Sequence, residues 1–272
     1  MPPPTHVIIP VTERKQVAIR DSAKDAVLWS IAKGLRPPQA MLDRINELAF
    51  LKALLDDLEI ECVLDVGANC GQFATELRKI GYTGWIVSFE PVEREYLKLR
   101  ATFANDGKWC GHQVALGSKD DVKPITIPPY LTEMSSLLDP APHARVGGDA
   151  YETEIVNVRR LDSLFPKGMV LGVPVARLFL KMDTQGYDLE VFRGATGCLP
   201  MIRGLQSEVS VEPVYVGMPH YLTALQEYEA AGFDLHNLSV VCRNSRGGLV
   251  ELNCFMRRGE NGHSRAAGCQ PR

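Results

Sequence analysis

Apolar residues recur at two different periods along this chain, and the change of period divides it. Met41, Ile45, Leu48, Leu51, Leu55 and Leu58 return every three or four positions, with Asp43, Arg44, Glu47, Asp56 and Asp57 off that stripe. This spacing predicts an amphipathic helix, and Pro37-Pro38 stands just before it, where a helix start tolerates proline. A shorter helix is expected between Arg20 and Lys33. From Cys62 the pattern changes. Residues 62–66, 85–89, 178–182 and 205–209 are short apolar runs that read as strands, while 72–80, 93–103, 188–193 and 221–231 read as helices. Such alternation implies parallel strands joined by helical crossovers. The end differs: 235–242 and 249–256 are strand-like runs joined through Asn244-Ser-Arg-Gly247-Gly248, a hairpin signature. Between Ser118 and Arg177 lies a proline- and glycine-studded stretch with two weak strands, 125–127 and 155–158, read as an insertion on the sheet. The expected organisation is a helical extension over 1–58, an α/β domain over 59–258 carrying the 118–177 insertion, and a flexible tail over 259–272.

Composition adds mainly exclusions. Hydrophobic residues make up 45% and charged residues 23% of 272, which is the balance of a folded domain, so bulk disorder is excluded. A net charge of −3 offers no electrostatic footprint for nucleic acid or an anionic membrane, and neither partner is expected. No stretch approaches the ~20 apolar residues of a membrane span. The first ten residues lack a basic region and an unbroken apolar run, so they do not read as a signal peptide. Seven cysteines are scattered without a C-x-x-C pair; Cys62, Cys198, Cys242 and Cys254 sit in apolar stretches and read as reduced core thiols of a cytoplasmic protein.

The candidate chemistry sits at strand ends. Asp65-Val66-Gly67-Ala68-Asn69-Cys70-Gly71 follows an apolar strand and precedes a helix, and ligands of open parallel sheets bind at such turns. A dinucleotide site would want G-x-G-x-x-G to cradle a pyrophosphate. Here no second glycine stands at the required place, and Asp65 ends the strand instead. An acid facing the turn repels a diphosphate and suits an ammonium or sulfonium, although an ordinary tight turn carries the same pattern. Glu90, 25 residues after Asp65, closes the next strand, where an acid accepts hydrogen bonds from ribose hydroxyls. The two signals together describe a nucleoside site without phosphate recognition, of which S-adenosylmethionine is the commonest ligand. Asp183 and Glu208, at the ends of two later strands, should project into the same crevice. Lys181 reads as a structural partner of a neighbouring acid, His143 and His220 as loop histidines, and Met134-Ser135-Ser136 as a polar turn able to reach the site.

This run of motifs resembles the FkbM-like methyltransferases. Asp65 to Gly71, Phe89-Glu-Pro, Val114-Ala-Leu-Gly117, Arg160-Leu-Asp-Ser-Leu164, Lys181-Met-Asp-Thr-Gln-Gly-Tyr187, Phe192-Arg-Gly-Ala195, Leu205 to Ser210 and Gly232-Phe233 come in the family's order, over residues 60 to 257. The resemblance implies a class I methyltransferase Rossmann-like fold, a seven-stranded sheet that is mostly parallel with a C-terminal antiparallel hairpin. It implies S-adenosylmethionine as donor and O-methylation of a small-molecule or glycan acceptor. Asp65, Gly67, Ala68, Asn69 and Gly71 would line the methionine end, Glu90 the ribose, and Ala115 and Leu116 the adenine. Asp188 stands where the family often has Glu. The helical residues before 60 are expected to cover the substrate side.

A hydroxyl is a poor nucleophile, and removing its proton is worth ~10²–10⁴-fold. Asp183 and Glu208 are the candidates, acting directly as base or together holding a divalent cation that acidifies the hydroxyl. Methylation of an amine or carboxylate, or a catalytically silent binding module, are the alternatives.

Overall fold

The computed structural model describes residues 39–145, 150–165, 169–170 and 173–259. The helix expected over Arg20–Lys33 and the tail beyond 259 lie outside them. Two compact units divide at Lys52/Ala53. The stripe of apolar residues before the domain forms helix α1, Gln39–Asp57. None of the helices among the described residues is long and apolar enough to cross a membrane.

The alternating pattern from Cys62 builds a seven-stranded sheet. Its members are β1 (Cys62–Val66), β2 (Trp85–Phe89), β3 (Trp109–His112), β9 (Leu178–Met182), β10 (Ile202–Ser210), β11 (Phe233–Arg243) and β12 (Leu249–Arg258). Helices α2 (Gln72–Lys79) and α3 (Glu93–Thr102) connect the first three. The spatial order is β3-β2-β1-β9-β10-β12-β11. All neighbours are parallel except β12, which runs antiparallel to both β10 and β11. The chain therefore winds outward from β1 to β3 and restarts at β9 on the other side of β1. That reversal opens a crevice beyond the carboxyl ends of β1 and β9.

The 118–177 stretch carries more strand than its apolar residues suggest. β5 (Asp121–Ile127) and β6 (Glu152–Arg159) pair antiparallel, and β4 (Ala115–Leu116) joins β6 in parallel to make a three-stranded sheet. Helix α4 (Leu161–Leu164) and the short pair β7 (Met169–Val170) and β8 (Val173–Pro174) complete it. Strand β3 has no apolar run, only Trp-Cys-Gly-His, and its pairing with β2 makes it a strand.

Both faces of the central strands are buried, which is why they read as continuous apolar runs. One face packs Leu64, Val66, Phe89, Leu180 and Met182 against helices α5 (Asp188–Arg193) and α6 (Tyr221–Ala230), through Val191, Phe192 and Tyr228. The other face carries Asp65, Ser88 and Lys181 in register across β1, β2 and β9. Three polar side chains buried in one row across a sheet need a reason, and the site supplies it.

Candidate active site

The first turn is built by backbone. Gly67 and Ala68 N–H both donate to the Phe89 carbonyl, at 3.1 and 3.0 Å, and Asp183 N–H donates to the Val66 carbonyl at 3.1 Å. Gly67 has φ +75°, and a Cβ there would stand 1.9 Å from the Asp183 carbonyl oxygen. Only glycine allows β1 and β9 to close on one another at this point. Asn69, at φ +47°, is one of the few residue types that tolerate this region. Its Oδ1 accepts from Cys70 N–H at 2.8 Å and Gln72 Nε2 at 3.1 Å, and its own amide N–H donates to Glu90 Oε2 at 2.7 Å. Gly71 lets α2 start hard against Leu99 and Phe103 of the following segment.

Glu90 sits at the end of β2 with its second oxygen accepting from Val92 N–H at 2.8 Å. Burial pushes its carboxyl up to about 7, against the lowering effect of the Val92 and Asn69 amides. A carboxylate desolvated this far, with only two amides to replace water, retains capacity for further donors.

A cavity open to solvent lies at this crevice. Gly67, Asn69, Glu90, Ala115, Leu116 and Asp183 line it, joined by Thr132, Glu133 and Ser135 from the insertion and Tyr187 beyond β9. Its charged lining is Glu90, Glu133 and Asp183, with no basic side chain among the described residues. Three residues expected at its wall stand behind it. Ala68 and Gly71 shape the turn without lining the cavity, and Asp65 is fully buried, paired to Lys181 with Nζ 3.0 Å from Oδ1. The Asp65 carboxylate expected to meet a ligand's charge is thus neutralised inside the protein. Ser88 Oγ donates to its other oxygen at 3.3 Å, and Trp109 Nε1 donates to Ser88 at 3.1 Å. Burial opposes the Lys181 charge, but Asp65 and Asp183 outweigh it and hold the ammonium form. Its Nζ also donates to the Gly67 carbonyl at 3.2 Å, which ties the turn to β9.

Asp183 and Glu208 do come together, but unequally. Asp183 lines the cavity with its side chain 42% exposed, 3.6 Å from Lys181 Nζ. Glu208 does not line it and is 8% exposed. Burial raises the Glu208 carboxyl well above its usual range, and Asp183 and Glu251 add to the rise. Between the two stands Gln185, which the sequence reading did not single out. Its Nε2 donates to Asp183 Oδ1 at 3.1 Å and to Glu208 Oε2 at 2.9 Å. Tyr215, 30 residues later, places its hydroxyl 2.9 Å from Gln185 Oε1. The only signal for Gln185 was its place inside the Lys181–Tyr187 motif; Tyr215 had none. Asp188 is a buried tie. It accepts from Thr184 N–H at 2.8 Å, Ser207 Oγ at 2.8 Å and Glu208 N–H at 3.0 Å, as well as from the Thr184 hydroxyl. Ser136 Oγ donates to the Gln185 carbonyl at 2.7 Å, so the polar turn of the insertion reaches this loop. His220 sits beside Ser210 through a backbone bridge and lines none of this cavity, and His143 is exposed. Among the described residues no group of three or more His, Cys, Asp or Glu side chains is arranged to hold a metal ion.

A domain model described as the methyltransferase FkbM domain matches residues 65–230. No curated protein sequence matches the chain. Among solved structures, the chain is similar to magnesium protoporphyrin IX methyltransferase from Synechocystis PCC 6803 with bound SAM. The identity is 9% and the TM-score 0.43, over 94% of this chain and 100% of that one. It is also similar to Aeropyrum pernix fibrillarin in complex with S-adenosyl-L-methionine, at 11% identity and TM-score 0.41, over 72% of this chain and 66% of that one.

Proposed function

The chain belongs to the FkbM methyltransferase family, and from that premise we propose that it transfers a methyl group from S-adenosylmethionine to a hydroxyl of a sugar or natural-product scaffold. The observation that carries this reading is the cavity at the sheet's reversal point, lined by Glu90, Glu133 and Asp183 and by no basic side chain among the described residues. That donor set disfavours a diphosphate and suits a positively charged nucleoside. When bound, S-adenosylmethionine supplies a methyl carbon activated by a cationic sulfur.

The residues divide the work by position. Glu90 receives the ribose hydroxyls, since its two oxygens each already hold one backbone amide and have room for one more donor. Ala115 and Leu116 offer an apolar wall to the base, and Gly67 and Asn69 flank the amino-acid end. Asp183 takes the proton of the acceptor hydroxyl, because it alone of the two candidates both lines the cavity and is open to solvent. Glu208, its carboxyl raised well above the usual range by burial and by Asp183, supports Asp183 from behind the cavity wall. Orienting the acceptor oxygen in line with the methyl is the first requirement, and deprotonation follows.

Incubating the purified protein with methyl-labelled S-adenosylmethionine and an extract of the source cell tests the proposal. A small molecule or glycan heavier by one methylene, bonded through oxygen, is expected. Label found only on nitrogen or carboxylate would replace the hydroxyl acceptor, and binding without any transfer would point to a silent module.

A further inference from the structure

Gln185 is over-determined in a way its neighbours are not. It has φ +52° and is followed by Gly186 at φ +89°, and a non-glycine residue stays in that region only where its surroundings hold it there. Contacts from four parts of the chain hold it there. Asp183 at the end of β9 and Glu208 on β10 accept from its Nε2, Ser136 of the insertion donates to its carbonyl, and Tyr215 meets its Oε1. The Tyr215 hydroxyl also stands 2.9 Å from the Met134 carbonyl. With its Oε1 turned to Tyr215, the amide directs both of its hydrogens at the two carboxylates.

We propose that Gln185 is the positioning residue of the transfer step: it fixes the Asp183 carboxylate at the cavity wall by bridging it to Glu208. This rests on the methyltransferase reading for its purpose, but the bridge itself is a property of the free protein. Without the bridge, the half-exposed Asp183 carboxylate would keep only its 3.6 Å contact with Lys181 Nζ among the described residues, and its Oδ1 would lose its fixed direction at the cavity wall. Glu208 anchors the other end because its own backbone N–H is tied to Asp188. The groups that face Glu208 are Asp183, Asp188, Glu251, Lys181, Tyr215 and Cys242. Only one of them is a cation, so the Gln185 amide supplies a neutral donor where carboxylates crowd.

The test compares wild type with Gln185→Ala and, should that variant fold poorly, Tyr215→Phe, which removes the hydroxyl that orients the amide. Three readouts are taken: the carbon-13 carboxyl titration of Glu208, the affinity for S-adenosylhomocysteine, and methyl incorporation from labelled donor into the source-cell extract. The expected result for Gln185→Ala is an upward move of the Glu208 midpoint by about half a pH unit or more. Affinity should stay within twofold and incorporation should fall tenfold or more, with Tyr215→Phe moving the same way by less. An unmoved midpoint, or an undiminished incorporation, overturns the proposal. So does a parallel loss of affinity and incorporation, which would make Gln185 a general support of the fold. If wild type neither binds S-adenosylhomocysteine nor incorporates label, the methyltransferase reading fails, while the titration still decides whether the bridge exists.

Discussion

At the scale of single residues, the site stands on two buried acids treated in opposite ways. Asp65 is paired to Lys181 at 3.0 Å with both side chains almost wholly excluded from water. Removing one partner of such a pair leaves an uncompensated charge, which costs about 3–5 kcal/mol. Lys181→Met is therefore expected to lose about that much in chemical denaturation, and Asp65→Asn/Lys181→Met to recover most of it; equal loss in both would mean that the pair is not the cause. Among the described residues Glu90 makes no ion pair, and burial, outweighing the Val92 and Asn69 amides and the more distant Lys181, lifts its carboxyl from 4.5 to about 7. The folded state then holds that proton more tightly than the unfolded chain does. The stability this group contributes is therefore fully present below pH 4.5 and is lost as pH rises through 7. A tenfold difference in proton affinity is worth ~1.4 kcal/mol, so the loss from this group is about 3 kcal/mol. Glu90→Gln should flatten that slope in unfolding measurements across the window. Glu90→Ala should weaken S-adenosylhomocysteine binding by about 1.5–3 kcal/mol, as for lost bonds to a charged group; calorimetry reads it directly.

At the scale of elements, β1, β9 and β10 are locked at their carboxyl ends, where the cavity opens. Gly67 permits the contact between the first turn and Asp183, at a φ of +75° with no space for a Cβ. Gly67→Ala is expected to destabilise the fold by more than about 2 kcal/mol and to abolish S-adenosylhomocysteine binding; a variant that keeps both would show the turn to be adaptable. Asp188 performs the same service between the β9 loop and β10, since one carboxylate gathers donors from Thr184, Ser207 and Glu208. Asp188→Asn turns an amide toward some of those donors, at about 1–3 kcal/mol for each one left unpaired. Denaturation midpoints and the Glu208 titration should both move in that variant. The resulting sheet, six strands wound around a reversal at β1 and closed by an antiparallel β12, is the class I methyltransferase arrangement.

At the scale of the whole molecule, the prediction concerns which ligand the fold prefers. A ligand that binds only the folded state stabilises it by about 2.7 kcal/mol at a hundredfold excess over its dissociation constant. S-adenosylmethionine and S-adenosylhomocysteine are expected to raise the melting temperature in this way, and NAD and NADP to leave it unchanged. A larger rise from a dinucleotide would sink the assignment of the cavity. With Asp183 proposed as the direct base on the hydroxyl, chelation is expected to leave methyl transfer unchanged. Activity lost to chelator and restored by Mg²⁺ would place a cation between them.

The sequence by itself determined the parallel core, the closing hairpin and the strand-end acids. Each of these is written locally: in apolar runs of strand length, in Asn244 to Gly248, and in acids standing in or just past the last residues of those runs. Even so, local pattern placed β5 only over its apolar end and missed β3, whose residues become a strand through pairing alone. The division of labour among the acids was decided by tertiary structure. Lys181 and Asp65 are 116 residues apart in sequence and become neighbours through the parallel register of β1 and β9. Asp183 faces the cavity and Glu208 does not, and Gln185 bridges the two, held by Tyr215 from another loop. A residue's type and period announce which strand end it occupies. Whether its charge is spent on a buried partner or left for a ligand depends on which strands the topology brings side by side, and no local pattern records that.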